Sequence, residues 1–444
     1  MSESLLSVGL DVGTTSTQLV VSRLLVENRA SAFAVPEMDI TRREILYESP
    51  VYFTPLVDES HVDGEKIREI VEAEYRRAGI SRQKVDTGAI IITGETSRKE
   101  NARAVLNALA HLAGEFVVTT AGPDLESILA AKGAGAVEYS GQTGKTVLHM
   151  DIGGGTSNLA LIREGKIVRT GCLNVGGRLV KLSENGTITY LSPVLKDIFQ
   201  GKVGEKRSAE EIAALCRKLT QALEMAAGLC PAAPLLDELL TKETASPWQP
   251  PEEDAVISFS GGVADCISQE KPWLEYGDIG PILGRQIRES RLCRGAYRLG
   301  EQTIRATVIG AGCHSTQLSG STVFCQNLEF PLKNLPVVEK NAGQYESSVI
   351  LAVSGDVQPT YTAVQTLAES LSADNPGEVF VCLEADMAKA LGHALARRLP
   401  PDARILCIDR VRAMPDSFLD IGAPVGGAFP VVLKTLVLGK EASR

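Results

Sequence analysis

Leu10-Asp11-Val12-Gly13-Thr14-Thr15-Ser16-Thr17-Gln18-Leu19 aligns without a gap against Met150-Asp151-Ile152-Gly153-Gly154-Gly155-Thr156-Ser157-Asn158-Leu159. Each stretch reads as a strand ending in Asp, a Gly/Thr turn and a second strand. An internal repeat of this kind is an architectural signal. Gly in the turn lets backbone N–H groups approach phosphate oxygens with no Cβ in the way. Thr and Ser hydroxyls add donors at the same place. An Asp beside phosphate is repelled by it, but it can hold the water shell of Mg²⁺, which prefers carboxylate, water and phosphate oxygens. One such stretch would be an ordinary Asp-Gly turn. Two in register, facing each other, would grip a triphosphate from both sides.

Outward from the repeat, the chain alternates strands and helices. After the first hairpin, a strand is expected over 45–54, a helix over 63–78 stopped by Gly79, and a buried strand at 89–92. A helix over 97–112, a strand at 116–119 and a helix over 124–135 follow. The second hairpin restarts the pattern: a strand at 167–172, helices over 208–227 and 233–241, a Pro-rich loop over 243–253, and strands at 255–260 and 306–309. Such a layout predicts mixed sheets flanked by helices. The expected units are a first half over 1–145, a second over 146–316, and a C-terminal α/β region over 317–444, outside the visible duplication. In that last region strands are expected near 347–353, 378–382 and 404–408. A helix is expected over 384–398, with Met387, Leu391 and Leu395 on its core face.

The chain has 444 residues and a formal net charge of -10, against a nucleic-acid partner, which would want a clustered basic face. No apolar run approaches the ~18 residues of a membrane span. Nine cysteines stand singly, without metal-site spacing, which reads as reduced thiols in a cytosolic compartment. The start, Met-Ser-Glu-Ser, lacks the basic region of a signal peptide. Gly141-Gln142-Thr143-Gly144-Lys145-Thr146 invites a Walker A reading, but Tyr139 stands where its first Gly belongs, and the segment precedes a strand instead of following one. It reads as a polar linker with Lys145 in solvent.

The two hairpins resemble the phosphate-1 and phosphate-2 motifs of the actin, Hsp70 and sugar-kinase superfamily. Its three other motifs are matched in order. Glu126 to Gly135 resembles connect-1, Ile257-Ser258-Phe259-Ser260-Gly261-Gly262-Val263-Ala264 the adenosine motif, and Val308-Ile309-Gly310-Ala311-Gly312 connect-2. The resemblance implies a duplicated actin-like (ribonuclease H-like) ATPase fold with two lobes around a nucleotide cleft. It assigns Asp11 and Asp151 to Mg²⁺ through water. Gly13, Thr14, Thr15, Gly153, Gly154, Gly155 and Thr156 go to phosphate, and Gly261, Gly262 and Gly310 to the nucleotide. Glu126 is the candidate for positioning or activating the attacking water, the main lever in phosphoryl transfer. No clear catalytic Lys is found; Arg98 and Lys99 are candidates, but a solvated helix face explains them better.

Nearly the whole chain, from Leu10–Val20 through Ile92–Asn101, His149–Asn158 and Ser260–Ala264 to Phe418–Val425 and Pro430–Leu436, resembles the bacterial ethanolamine ammonia-lyase reactivating factors. The resemblance implies a chaperone-like ATPase. With ATP and Mg²⁺ it frees an adenosylcobalamin-dependent lyase of damaged cobalamin, so that intact cofactor can enter. It also implies a cytoplasmic setting, associated with a bacterial microcompartment. Cobalamin is handled through the partner, with no direct site expected. Two other readings stay open: a small-molecule kinase, which would need an extra carboxylate base such as Asp265 or Asp278, and an actin-like filament protein.

Overall fold

The computed structural model describes residues 3–13, 16–28, 38–58, 61–81, 84–93, 101, 118–120, 123–242, 248–251, 254–314, 316–319, 323–339, 348–353, 359–374, 377–411, 417–424 and 428–435. Thr14, Thr15, Arg98, Lys99 and the helix expected over 97–112 fall outside them, apart from Asn101.

The first sheet contains β1 (Glu3–Val12), β2 (Ser16–Asn28), β3 (Met38–Glu48), β4 (Tyr52–Phe53), β5 (Thr87–Ile92) and β6 (Val118–Thr120). The second contains β7 (Val147–Ile152), β8 (Ser157–Arg163), β9 (Lys166–Leu173), β12 (Val256–Ser260) and β13 (Tyr297–Leu299), with the separate hairpin β10 (Val180–Leu182) and β11 (Ile188–Leu191) beside it. The strand orders are β3-β2-β1-β5-β6 and β9-β8-β7-β12-β13. In both, the first three strands in sequence are antiparallel neighbours and the last two run parallel to the central one. The duplication therefore extends from the hairpins to whole sheets.

Helix α1 (Gly64–Ala78) is capped by the Asp63 side chain and ends at Gly79, which takes the left-handed conformation that Gly adopts without strain. It covers Val8, Leu10, Val12, Ile90 and Ile92 on one face of the first sheet. The opposite face carries Ala89 and Ile91, so β5 is apolar at every position because both its faces are covered.

The connecting helices change sides. Helix α2 (Pro123–Gly133) leaves the first sheet, continues after Gly135 into α3 (Ala136–Thr143), and packs on β7, β8 and β9 of the second. The second sheet's other face is filled by α4 (Ala209–Ala226), α5 (Pro234–Leu239), α6 (Gly262–Ser268) and α7 (Gly280–Glu289). Helix α8 (Ala306–His314) leaves the second sheet and packs on β1, β2 and β5 of the first. Each sheet is thus covered in part by a helix that leaves the other.

Residues 306–309, expected as a strand, are the first turn of α8. A run as short as Ala306-Thr307-Val308-Ile309 carries no period that distinguishes a buried strand from a buried helix. The small residues mark close packing: α2 and α8 cross at Gly133 and Gly310. A Cβ on Gly310 would run into the Leu129 carbonyl, and one on Gly133 into the Ala306 carbonyl. The Walker-like segment ends α3 at the left-handed Gly144, and Lys145 is exposed.

Beyond α8 lies a sheet of its own, in the order β14-β21-β20-β16-β17-β18-β19-β15. Its strands are β14 (Thr316–Leu318), β15 (Phe324–Gln326), β16 (Leu332–Glu339), β17 (Ile350–Val353), β18 (Glu378–Leu383), β19 (Arg404–Ile408), β20 (Ser417–Ile421) and β21 (Pro430–Thr435). Helices α9 (Tyr361–Asp374) and α10 (Ala388–Ala396) bury one face, with Met387, Leu391 and Leu395 in that core. No helix among the described residues is long and apolar enough to cross a membrane. Cys172, Cys216, Cys230, Cys266, Cys293, Cys325, Cys382 and Cys407 are free thiols.

Candidate functional site

The two hairpins meet across one cleft of about 400 Å³. In the first, Gly13 N–H donates to the Ser16 carbonyl at 2.9 Å; in the second, Gly153 N–H donates to the Thr156 carbonyl at the same distance. The same hydrogen bond therefore closes both turns. Asp11 stands opposite Gln18 in its hairpin, and Asp151 opposite Asn158.

Both aspartates are buried at strand ends, and each is held by a hydroxyl from the neighbouring parallel strand or just beyond it. Thr93 Oγ1 donates to Asp11 at 2.9 Å, and Ser260 Oγ donates to Asp151. Burial pushes Asp11 up to about 7, against the Thr93 hydrogen bond and with a smaller contribution from the charge of Asp151. Burial likewise pushes Asp151 up to about 6, opposed by hydrogen bonds from Ser260, Thr307 and Asn158. Two buried carboxylates facing one cleft, one of them burdened by the charge of the other, are arranged to receive a cation. No cluster of three His, Cys, Asp or Glu groups exists among the described residues. The pair on its own is an open cradle, of the kind Mg²⁺ completes with water and phosphate oxygens.

Behind Asp151 sits His149, fully buried, with Nε2 2.9 Å from Ser260 Oγ and Nδ1 3.1 Å from Ser258 Oγ. Because Ser260 gives its proton to Asp151, His149 Nε2 must donate to Ser260 and Nδ1 accept from Ser258. Burial, with help from Arg298, pushes His149 down to about 3, so the ring is a neutral strut. The sequence signal for it was weak: a lone His inside an apolar strand.

Glu126 lies in the first turn of α2, buried, with its side chain on the cleft. Gly153, Gly154, Gly155 and Thr156 line the cleft, as do Gly13, Gly261 and Gly262. A Cβ on Gly155 would meet nothing within 4 Å, so that backbone faces open space. Gly261 is required by the fold: its φ is +86° and a Cβ would run into the Ile152 carbonyl. Gly310 lies away from the cleft, in the α2–α8 crossing, which corrects its assignment to the nucleotide.

The loop Gly176-Gly177-Arg178 joins the site without a sequence expectation of its own. Gly177 and Arg178 N–H groups donate to the Gly153 and Gly154 carbonyls, and a Cβ on Gly176 would run into Gly154. This loop buttresses the second turn, and its Gly pair was the available signal. Arg178 also reaches across the cleft mouth, with its guanidinium 5.2 Å from the Phe53 ring centre. Its Nε donates to Asp278 at 3.2 Å, and Gly280 N–H donates to Asp278 at 2.8 Å. Asp265 accepts from the Thr303 hydroxyl. Both aspartates line the cleft; Asp278 has both carboxylate oxygens engaged, whereas Asp265 is held through one. Val263, Tyr276 and Gly280 wall the cleft beyond the turns, a surface suited to a planar base.

Two equivalent sheets, crossing helices and paired Asp–Gly turns around a single cleft define an actin-like ATPase fold. Residues 3–348 and 340–439 match the profile of the family described as ethanolamine utilisation protein EutA. The chain is 36% identical over 464 aligned positions to the ethanolamine ammonia-lyase reactivase EutA of Salmonella typhimurium strain LT2, covering 97% of this chain and 98% of that protein. To the protein of the same name from Escherichia coli strain K12 it is 36% identical over 465 positions, with the same coverage. A solved PPX-GPPA enzyme from Aquifex aeolicus is 13% identical, with a TM-score of 0.41 over 70% of this chain and 99% of that one. The chain belongs to the EutA family.

Proposed function

We propose that this chain is an ATP-dependent reactivase of ethanolamine ammonia-lyase. It would bind ATP with Mg²⁺, hydrolyse it, and use the movement of its lobes to release damaged cobalamin from the lyase, so that intact cofactor can bind. The observation that carries the ATPase part is the pair of equivalent turns with buried Asp11 and Asp151 across one cleft. The partner rests on the family and on the names of the curated relatives.

In this reading the backbone N–H groups of Gly13 and Gly153–Gly155, with the Thr156 hydroxyl, hold phosphate. Thr14 and Thr15 belong to the same turn in sequence. Asp11 and Asp151 hold Mg²⁺ through water, and that ion offsets the phosphate charge. Glu126 orients the attacking water, because α2 carries it into the cleft. The base lies against Val263 and Tyr276. The product of turnover is a change in lobe angle, and it does work on the partner only if the two states bind the lyase with different affinity. The setting is the cytoplasm, at a microcompartment that houses the lyase.

The direct test mixes the protein with cyanocobalamin-blocked ethanolamine ammonia-lyase, ATP, Mg²⁺ and fresh adenosylcobalamin. Lyase activity is expected to recover only with ATP. A stoichiometric phosphorylated metabolite in place of free phosphate would instead establish a kinase. The base site has its own test. A Cβ on Gly262 would meet only the Ile304 side chain, at 3.8 Å, so Gly262→Val should fold normally and fill the cleft. Calorimetry is expected to show ADP affinity reduced roughly tenfold or more, about 1.4 kcal/mol per tenfold.

A further inference from the structure

The residues opposite the two aspartates carry an unused capability. Gln18 is 2% exposed and Asn158 3% exposed, and both line the cleft. Each is an amide seven positions after its Asp, at the same register in its hairpin. Gln18 Nε2 donates to the Ile304 carbonyl at 3.2 Å and is 3.4 Å from Ser16 Oγ. Asn158 hydrogen-bonds the Asp151 carboxylate. A carbonyl and an ionised carboxylate only accept, so each amide must turn its NH₂ toward them. That orientation is fixed by chemistry and not by the shape of the side chain. It leaves Gln18 Oε1 and Asn158 Oδ1 as buried acceptors with no hydrogen-bond donor among the described residues. A buried acceptor without a donor is costly, so a matched pair of them beside a cation cradle points to a ligand that donates.

We infer that Gln18 and Asn158 are positioning residues for the divalent cation, their amide oxygens accepting hydrogen bonds from its bound water. The inference rests on the Mg²⁺-nucleotide reading of the cleft. A nucleotide phosphate cannot satisfy these oxygens, because phosphate is itself an acceptor. A hydrated Mg²⁺ can, because it keeps several waters and each presents protons. Neutral amides suit the place better than further carboxylates. Asp11 and Asp151 already bring two buried carboxylates to the cleft. Two amides add lone pairs without adding charge. The result is a cradle of four side chains, one carboxylate and one amide from each hairpin, that recognises the water shell from both lobes at once.

The test is calorimetry of ADP with the full-length protein, in Mg²⁺ and in EDTA, for the wild type, Gln18→Met and Asn158→Leu. Manganese binding without nucleotide, read by electron paramagnetic resonance, serves as a second measurement. Each variant is expected to lose roughly tenfold of the Mg²⁺-dependent affinity and of the Mn²⁺ affinity, the usual effect of removing an outer-shell partner. ADP affinity in EDTA should stay at the wild-type value. An equal loss in Mg²⁺ and in EDTA, or no loss at all, overturns the inference. A wild-type protein whose ADP affinity is indifferent to Mg²⁺ overturns the underlying reading instead. Should Asn158→Leu fail to fold, Gln18→Met, close to Gln in shape, carries the test alone.

Discussion

Asp151→Asn and Asp11→Asn are each expected to lower Mg²⁺-dependent ATP turnover by about 10²-fold or more, while the metal-free protein melts at a higher temperature near neutral pH. The two effects have one cause. Burial holds Asp11 at about 7 and Asp151 at about 6, where an unfolded chain would have both near 3.8. Below the unfolded value, folded and unfolded chains both carry the proton and nothing is lost. As pH rises from about 4 to about 7, the unfolded chain releases its protons first, and the folded state is progressively destabilised. Asn removes that loss and can still accept from Thr93 or Ser260 through its oxygen. The gain in melting temperature should therefore vanish below about pH 4 and level off above about 7. Bound Mg²⁺ is expected to narrow the gap, because it stabilises the charged carboxylates of the wild type and has nothing to hold in the variants. Phosphate release and thermal melts across pH, with and without Mg²⁺, check both halves. Full turnover in either variant would falsify the cation assignment.

The sequence already exposed the repeated turn, because Asp-x-Gly followed by hydroxyl residues is local and its chemistry is fixed by backbone approach. It also exposed α1, whose cap, period and terminating Gly79 are all short-range. What it concealed depends on contacts between distant segments. Thr93 and Thr307 help hold the two aspartates from 82 and 156 positions away in sequence (93 − 11 and 307 − 151), and although Thr93 lies in the segment Ile92–Asn101, nothing local in either stretch points to an aspartate so far off. His149 was passed over because its value lies in Ser258 and Ser260. Residues 306–309 were read as a strand because four apolar or small residues do not span enough of a helical period to reveal it. The C-terminal strands β20 and β21 were missed although their sequence was quoted, since pairing order is not written in local pattern. Gly310 stands out in the sequence beside a nucleotide motif, yet its neighbours in the structure are the backbone atoms of Leu129.

Gly310→Ala tests that placement. If Gly310 lay against nucleotide, adding a methyl would lower affinity and leave the empty protein's stability unchanged. In the observed packing the methyl runs into the Leu129 carbonyl, and the reciprocal position, Gly133, is closed by the Ala306 carbonyl. Neither obstacle is the flexible end of a side chain, so the helices must separate. Overpacking of this kind costs about 1–3 kcal/mol and more where backbone blocks backbone. The nucleotide-free melting temperature is expected to fall by roughly 5–10 °C, and Gly310→Leu is expected not to fold. The damage should also reach catalysis, because each helix carries part of the site: α2 supplies Glu126, and α8 supplies Thr307, which hydrogen-bonds Asp151. Spreading the crossing moves Glu126 away from the aspartates, so turnover in Gly310→Ala should fall more than ADP affinity does. Scanning fluorimetry without nucleotide, set beside ADP calorimetry and phosphate release, separates the possibilities. Unchanged stability with weakened ADP binding would return Gly310 to the nucleotide. Lost stability with lost turnover makes the crossing the element that holds the two lobes at catalytic distance.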